Sequence, residues 1–145
     1  MDVEMTGAAV VRGTDAEVLR SPTDLIRLLV TGLGDVQAAE ITSTDRVGPP
    51  VHTQEWHEFQ YVLQGEVKFW LDGEWHRLGP GDVEVLPAGV AHTVRVPEGE
   101  ARLLQVTMGA PFDAFIRAMV ALDNDPDAAA SAKGDAATRH GVRSV

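Results

Sequence analysis

The chain has 145 residues, a formal net charge of −10 and no cysteine. That length suits one domain with a core that needs no disulfide staples, and the missing thiols exclude disulfides, thiolate zinc sites and a cysteine nucleophile. The acidic balance, with Lys68 and Lys133 the only lysines and the arginines scattered, argues against a nucleic-acid partner, which needs clustered positive charge. No apolar run approaches the ~18 residues of a membrane span. The opening MDVEMTGAAV lacks the basic start of a secretory signal, so a cytoplasmic protein is expected.

In chain order, residues 1–7 are expected to fray and residues 8–12 to form a short strand. Residues 14–20 are ambiguous. Ser21-Pro22 reads as a turn. The apolar run from Asp24 to Thr31 suits a short helix or a buried strand, and the Gly32-Leu33-Gly34-Asp35 turn after it favours a strand in a hairpin. Residues 36–43 follow as its partner. Short strands are then expected at 52–54, 58–64, 67–71, 74–78, 82–86, 92–96 and 101–108. Gln64-Gly65-Glu66 and Asp72-Gly73 read as hairpin turns, and Gly79-Pro80-Gly81, Pro87-Ala88-Gly89 and Pro97-Glu98-Gly99 as loops. Many short, evenly spaced strands mean a β-sandwich or barrel. Beyond Gly109, Phe112, Phe115, Ile116, Met119 and Val120 repeat at helical spacing, with Asp113 and Arg117 as an i,i+4 pair on the wet side. Asp125-Pro126 suggests the cap of a second, alanine-rich helix running to about residue 139, ended by His140 and Gly141.

The chemistry concentrates in GPPVHTQEWHEFQYVLQG, residues 48–65. His52, Gln54 and Glu58 share one parity and so one face of a strand, whereas Thr53, Glu55 and His57 fall on the other. A second stretch, GDVEVLPAGVAH, ends in His92 at the start of another strand. If the two strands lie close, His52, Glu58 and His92 supply two imidazoles and a carboxylate, a donor set for Fe, Mn, Ni or Zn as a divalent ion. Gln54 would be a weak fourth oxygen ligand or would orient a bound water.

These residues resemble the two motifs of the cupin superfamily. In the first, G-x5-H-x-H-x3,4-E-x6-G, His52, Glu58 and Gly65 fit, Gln54 replaces the second histidine, and Gly48 stands closer than the usual leading glycine. In the second, G-x5-P-x-G-x2-H-x3-N, Gly81, Pro87, Gly89 and His92 fit and Val96 replaces the asparagine. With strands before and a PFDAFIRAMV helix after, the chain is similar to small single-domain cupins of the quercetin dioxygenase-like, conserved-barrel type. The resemblance implies an all-β double-stranded β-helix, or jelly roll, spanning residues 1–145 as one domain, with the barrel core at about 24–109 and a helical segment at about 110–141. It also implies one divalent metal ion held by His52, Gln54, Glu58 and His92.

Trp56 and Gln60 share the parity of Glu58 and are expected to line a substrate pocket. Phe59, Tyr61 and Leu63 make the opposite face of the same strand apolar. It is therefore expected to be covered by the helix, by the N-terminal strands or by a second subunit, and a homodimer is expected. His57, His76 and His140 are read as structural. Trp70 and Trp75 are read as packing residues, and Arg95 and Arg102 as solvated. The function expected is a dioxygenase-like enzyme, with Glu58 as the base, acting on a diketone, flavonol or phenol-like molecule. A non-redox cyclase or isomerase and a non-catalytic binding or sensing module are the alternatives.

Overall fold

A computed structural model describes residues 7–145. Eleven strands and two helices follow one another: β1 (Glu17–Arg20), β2 (Asp24–Leu33), β3 (Val36–Ser43), β4 (His52–Gln54), β5 (His57–Gln64), β6 (Val67–Leu71), β7 (Glu74–Leu78), β8 (Val83–Leu86), β9 (His92–Arg95), β10 (Ala101–Met108), α1 (Phe112–Asp123), α2 (Ala132–Arg139) and β11 (Val142–Ser144). They form two antiparallel sheets, one in the order β1-β2-β3-β10-β5-β8 and the other β11-β4-β9-β6-β7. Their inner faces alternate along each strand, as in β10, where Ala101, Leu103, Gln105 and Thr107 are buried. The result is the jelly-roll barrel that the motifs imply.

Several expectations need correcting. Residues 8–12 form no strand, and residues 1–6 lie outside the described region. The ambiguous segment resolves into a short 3-10 turn, Gly13–Asp15, and β1. Gln64-Gly65-Glu66 is not a hairpin, because β5 belongs to one sheet and β6 to the other. Gly65 instead turns the chain across the barrel with φ 78°, at a point where a Cβ would run into the Glu100 carbonyl. Asp72-Gly73 is a true two-residue hairpin, both residues with positive φ, joining β6 to β7. The second helix starts at Ala132, not near Asp125. After it comes β11, whose residues pair with β4 (Val142 with Gln54, Ser144 with His52).

Two apolar clusters hold the barrel. One joins Ile26, Leu28, Ala39, Trp56 and Val142 to Phe112 and Val120 of α1. The other is Val62, Val67, Phe69, Val96, Ala101 and Leu103. The expected ion pair between Asp113 and Arg117 forms at 2.7 Å, but Asp113 is not on the wet side: it is 1% exposed. Gln37 explains its burial, donating to Asp113 Oδ1 at 2.8 Å and accepting from the Asp113 backbone N–H at 2.8 Å. This reciprocal pair fixes the start of α1 to β3. Neither α1 nor the N-terminal strands cover the outer face of β5. Tyr61 and Leu63 remain 40% exposed there, beside Val83 and Val85 of the edge strand β8.

The segment between β3 and β4 decides where His52 sits. Gly48 has φ 73°, and a Cβ there would collide with the Val94 carbonyl oxygen. The Thr93 hydroxyl donates to Pro49 O at 2.6 Å, and Val96 N–H donates to Asp45 O at 2.8 Å. Gly48→Ala is therefore expected to cost about 2 kcal/mol or more, from left-handed strain plus a backbone clash. A lowered unfolding midpoint in a thermal melt checks it, and an unchanged midpoint contradicts it.

Candidate metal centre

β4 and β9 meet at one register pair, His52 opposite His92. The two imidazole rings lie 4.4 Å apart between centroids. Each Nδ1 faces a backbone carbonyl two residues back, His52 to Pro50 O at 2.7 Å and His92 to Val90 O at 2.9 Å. A carbonyl only accepts, so each Nδ1 carries a proton, and Nε2 is the nitrogen left to face a ligand. Burial holds the His92 imidazole down at about 4, against the pull of its Val90 hydrogen bond and with a smaller push from His52. It is neutral near pH 7, the form a metal ligand needs.

Glu58 sits on β5 in the other sheet, 5% exposed. Three N–H groups hold its carboxylate: Gln54 Nε2 at 3.2 Å and Trp56 Nε1 at 3.2 Å on Oε1, and Gln60 Nε2 at 2.8 Å on Oε2. Gln60 shares a face of β5 with Glu58, and the chain crossing from β4 to β5 brings Gln54 and Trp56 to the same carboxylate. Among the described residues, no three His, Cys, Asp or Glu side chains are gathered as a metal-binding group. The structure brings His52 and His92 together, and gathers Gln54, Trp56, Glu58 and Gln60 around one carboxylate. The donor chemistry still fits a borderline divalent cation at the imidazole pair, with the carboxamide of Gln54 lining the same cavity.

All six of these residues line one cavity of about 190 Å³. Phe112, Phe115 and Ile116 of α1 close part of its apolar wall. Trp56 combines two positions, lining the cavity and packing 1% exposed against Phe112 and Phe115, with ring centroids 6.2 and 5.5 Å away.

The remaining histidines lie elsewhere. His57 is exposed and its Nδ1 accepts from Ala88 N–H at 3.0 Å, which ties the Pro-x-Gly turn to β5. His76 is exposed on β7, and His140 caps α2. Trp75 is 40% exposed, with the Arg95 guanidinium stacked 3.9 Å from its ring centre, so Arg95 is not simply solvated. Arg102 pairs with Glu40 at 3.0 Å.

Sequence reasoning did not single out Glu84, Gln105 or Thr107. All three point inward and are buried, at 3%, 4% and 1% exposure. Burial, and to a lesser degree the Glu58 carboxylate, push the Glu84 carboxyl up to about 8. Both its oxygens, Gln105 Nε2 and Thr107 Oγ1 have no hydrogen-bond partner, a condition that costs about 1–3 kcal/mol per group. The signal in the sequence was the even spacing of Leu103, Gln105 and Thr107 along a strand.

The fold and the motif residues together define a small cupin-type domain. Residues 42–107 match the family model described as "Cupin domain". The chain is 32% identical over 69 residues to quercetin 2,3-dioxygenase of Bacillus subtilis, a stretch covering 47% of this chain and 20% of that protein. It thus spans about a fifth of that relative's length. Among solved structures it is similar to KdgF from a Halomonas species (TM-score 0.66, 20% identity, covering 74% of this chain and 98% of that one). It is also similar to the polyketide cyclase RemF of Streptomyces resistomycificus (TM-score 0.61, 24% identity, 70% and 80% covered). These likenesses establish the shared fold. Among the described residues, no helix is long and apolar enough to cross a membrane.

Proposed function

We propose that this protein is a metal-dependent, dioxygenase-like enzyme for a small oxygenated molecule, such as a short diketone or a single-ring phenol. The observation that carries the reading is the imidazole pair, both Nδ1 atoms turned to backbone carbonyls, opening onto the cavity that also holds a triply hydrogen-bonded carboxylate. His52 and His92 would hold the ion, with Gln54 offering its amide oxygen. A divalent ion bound there supplies polarisation of a substrate oxygen and, if redox-active, a path for electrons to dioxygen.

Glu58 is the base. Its three N–H donors fix its direction, and Oε2, with a single donor, keeps room to take an acidic proton from an enol or phenol lying in the cavity. With Oε1 taken by two donors, Glu58 is read as base first, through Oε2, and metal ligand second. The cavity limits substrate size. A closed space of about 150 Å³ accommodates benzene, so about 190 Å³ takes one substituted ring or a short chain, and a flavonol would protrude. The resemblance of part of the chain to a quercetin 2,3-dioxygenase supports dioxygen chemistry over other cupin activities.

Glu58→Gln, tested for turnover and metal content together, separates the roles. Turnover of a short diketone is expected to fall by about 10²–10⁴-fold, the usual weight of a general base, with metal content retained. Loss of metal along with turnover would make Glu58 a ligand, and unchanged turnover would remove it from the chemistry. The wild type should need dioxygen; turnover that persists anaerobically would replace this reading with a Lewis-acid cyclase or isomerase.

A further inference from the structure

The cavity wall opposite the imidazole pair carries an unspent hydrogen-bond donor. Gln105 of β10 is the cross-strand partner of Gln60 on β5, and both line the cavity. The amide nitrogen of Gln60 is committed to Glu58 at 2.8 Å. That of Gln105 is buried, with no partner. Its surroundings repeat the pattern: Glu84 lies opposite Gln60 from β8, and Thr107 lies opposite Glu58 from β10, each with buried oxygens that bond to nothing. Of the six such side-chain atoms among the described residues, four fall on β8 and β10, the two strands that flank β5. A packed interior satisfies its polar groups, so a cluster of unsatisfied ones beside a cavity marks the place where something else completes them.

The chemistry of the wall says what that is. An amide N–H only donates, so it calls for an acceptor. The Glu58 carboxylate beside Gln60 disfavours a second anion. A neutral carbonyl oxygen meets both conditions. We propose that Gln105 is a specificity-determining residue whose Nε2 donates to a carbonyl oxygen of the substrate, while a second oxygen of the same molecule lies at the His52–His92 pair. The substrate class is then a compact molecule with two oxygens on opposite sides, at least one of them a ketone, aldehyde or amide carbonyl. The inference rests on the proposed function for the imidazole end and is independent of it at the Gln105 end.

The test uses two probes of matched size, para-hydroxybenzaldehyde and para-cresol, titrated calorimetrically into the full chain. The wild type is expected to bind the aldehyde about tenfold more tightly, the usual scale of one buried hydrogen bond. Gln105→Leu should erase that preference and leave para-cresol affinity within about twofold, since the apolar wall is kept. Gln105→Met, unbranched and similar in length, repeats the measurement should the leucine variant fold poorly. A preference unchanged in both variants overturns the inference. So does a wild type that binds the two probes equally or binds neither, since Gln105 would then face only structural water. Repeating the titration on chelator-treated protein separates the two readings: weaker binding of both probes with the preference intact concerns the metal alone.

Discussion

Replacing Trp56 with alanine is expected to destabilise the protein by about 3–5 kcal/mol, the range for deleting a buried aromatic. Trp56 is 1% exposed and joins three parts of the structure. Its ring packs against Phe112 and Phe115, binding α1 to the barrel. It shares a core cluster with Ile26 and Leu28 of β2 and Val142 of β11. Its Nε1 also donates to Glu58 Oε1 at 3.2 Å. Alanine leaves a void on the cavity wall and removes one of the three donors on the carboxylate. Trp56→Phe isolates the second effect: most of the packing stays and the N–H goes, at an expected cost of about 1–3 kcal/mol. Urea unfolding monitored by far-UV dichroism measures both. A loss below about 1 kcal/mol for the alanine variant would mean that α1 is not held through this residue.

Glu84→Gln is expected to stabilise the protein, and more so as pH rises. Burial, with help from Glu58, raises the folded-state carboxyl from 4.5 to about 8. Between those values the unfolded chain has lost this proton while the folded chain keeps it. Stability therefore falls as pH rises through that window, by up to about 1.4 kcal/mol per pH unit, and levels off above about pH 8. Below about pH 4.5 both states are protonated and the group costs nothing by this route. Glutamine keeps the size and removes the titration. The variant should match the wild type near pH 5 to within about 1 kcal/mol and exceed it by a few kcal/mol near pH 8. The same stability difference at both pH values would contradict the account of Glu84 as a neutral buried acid. His92 works in the opposite sense, because its folded value lies below the ordinary 6.5 at about 4. Its contribution is present above about pH 6.5 and is lost as pH falls towards 4.

How far the sequence carried depended on whether local spacing or distant contacts decided each residue. The single strand face expected from His52 to Gln60 belongs to two strands, β4 and β5 in opposite sheets, yet the parity within each is local and His52, Gln54, Trp56, Glu58 and Gln60 all line one cavity. The periodicity from Phe112 to Val120 is equally local and produced α1. Gly65 was misread because a glycine with positive φ marks a turn whether the next strand pairs with the last or crosses to the other sheet. Asp113 looked solvated because its helical spacing to Arg117 says nothing of Gln37, 76 residues away in sequence. β11 carries no pattern of its own in three residues and exists because β4 offers it an edge. Glu84 is the sharpest case. Alternation in Val83-Glu84-Val85 would bury the valines, yet Val83 and Val85 are 49% and 68% exposed and the acid faces inward. Its partner strand fixes that orientation: Glu84 pairs with Gln60 and Leu86 with Glu58, so β8 inherits the inward parity of β5. The relation between Glu58 and the imidazole pair was likewise beyond spacing, because neighbouring donors decide where a carboxylate points.

The measurement closest to the central claim is the metal content of freshly isolated protein compared with His92→Ala. His52 and His92 are each other's register partner, with both Nδ1 atoms engaged. The wild type is expected to carry close to one divalent ion per chain and to be stabilised by it, with melting lowered by a chelator. His92→Ala should carry almost none and should melt alike with and without chelator. Full metal occupancy in His92→Ala would contradict the assignment of this pair as the metal centre.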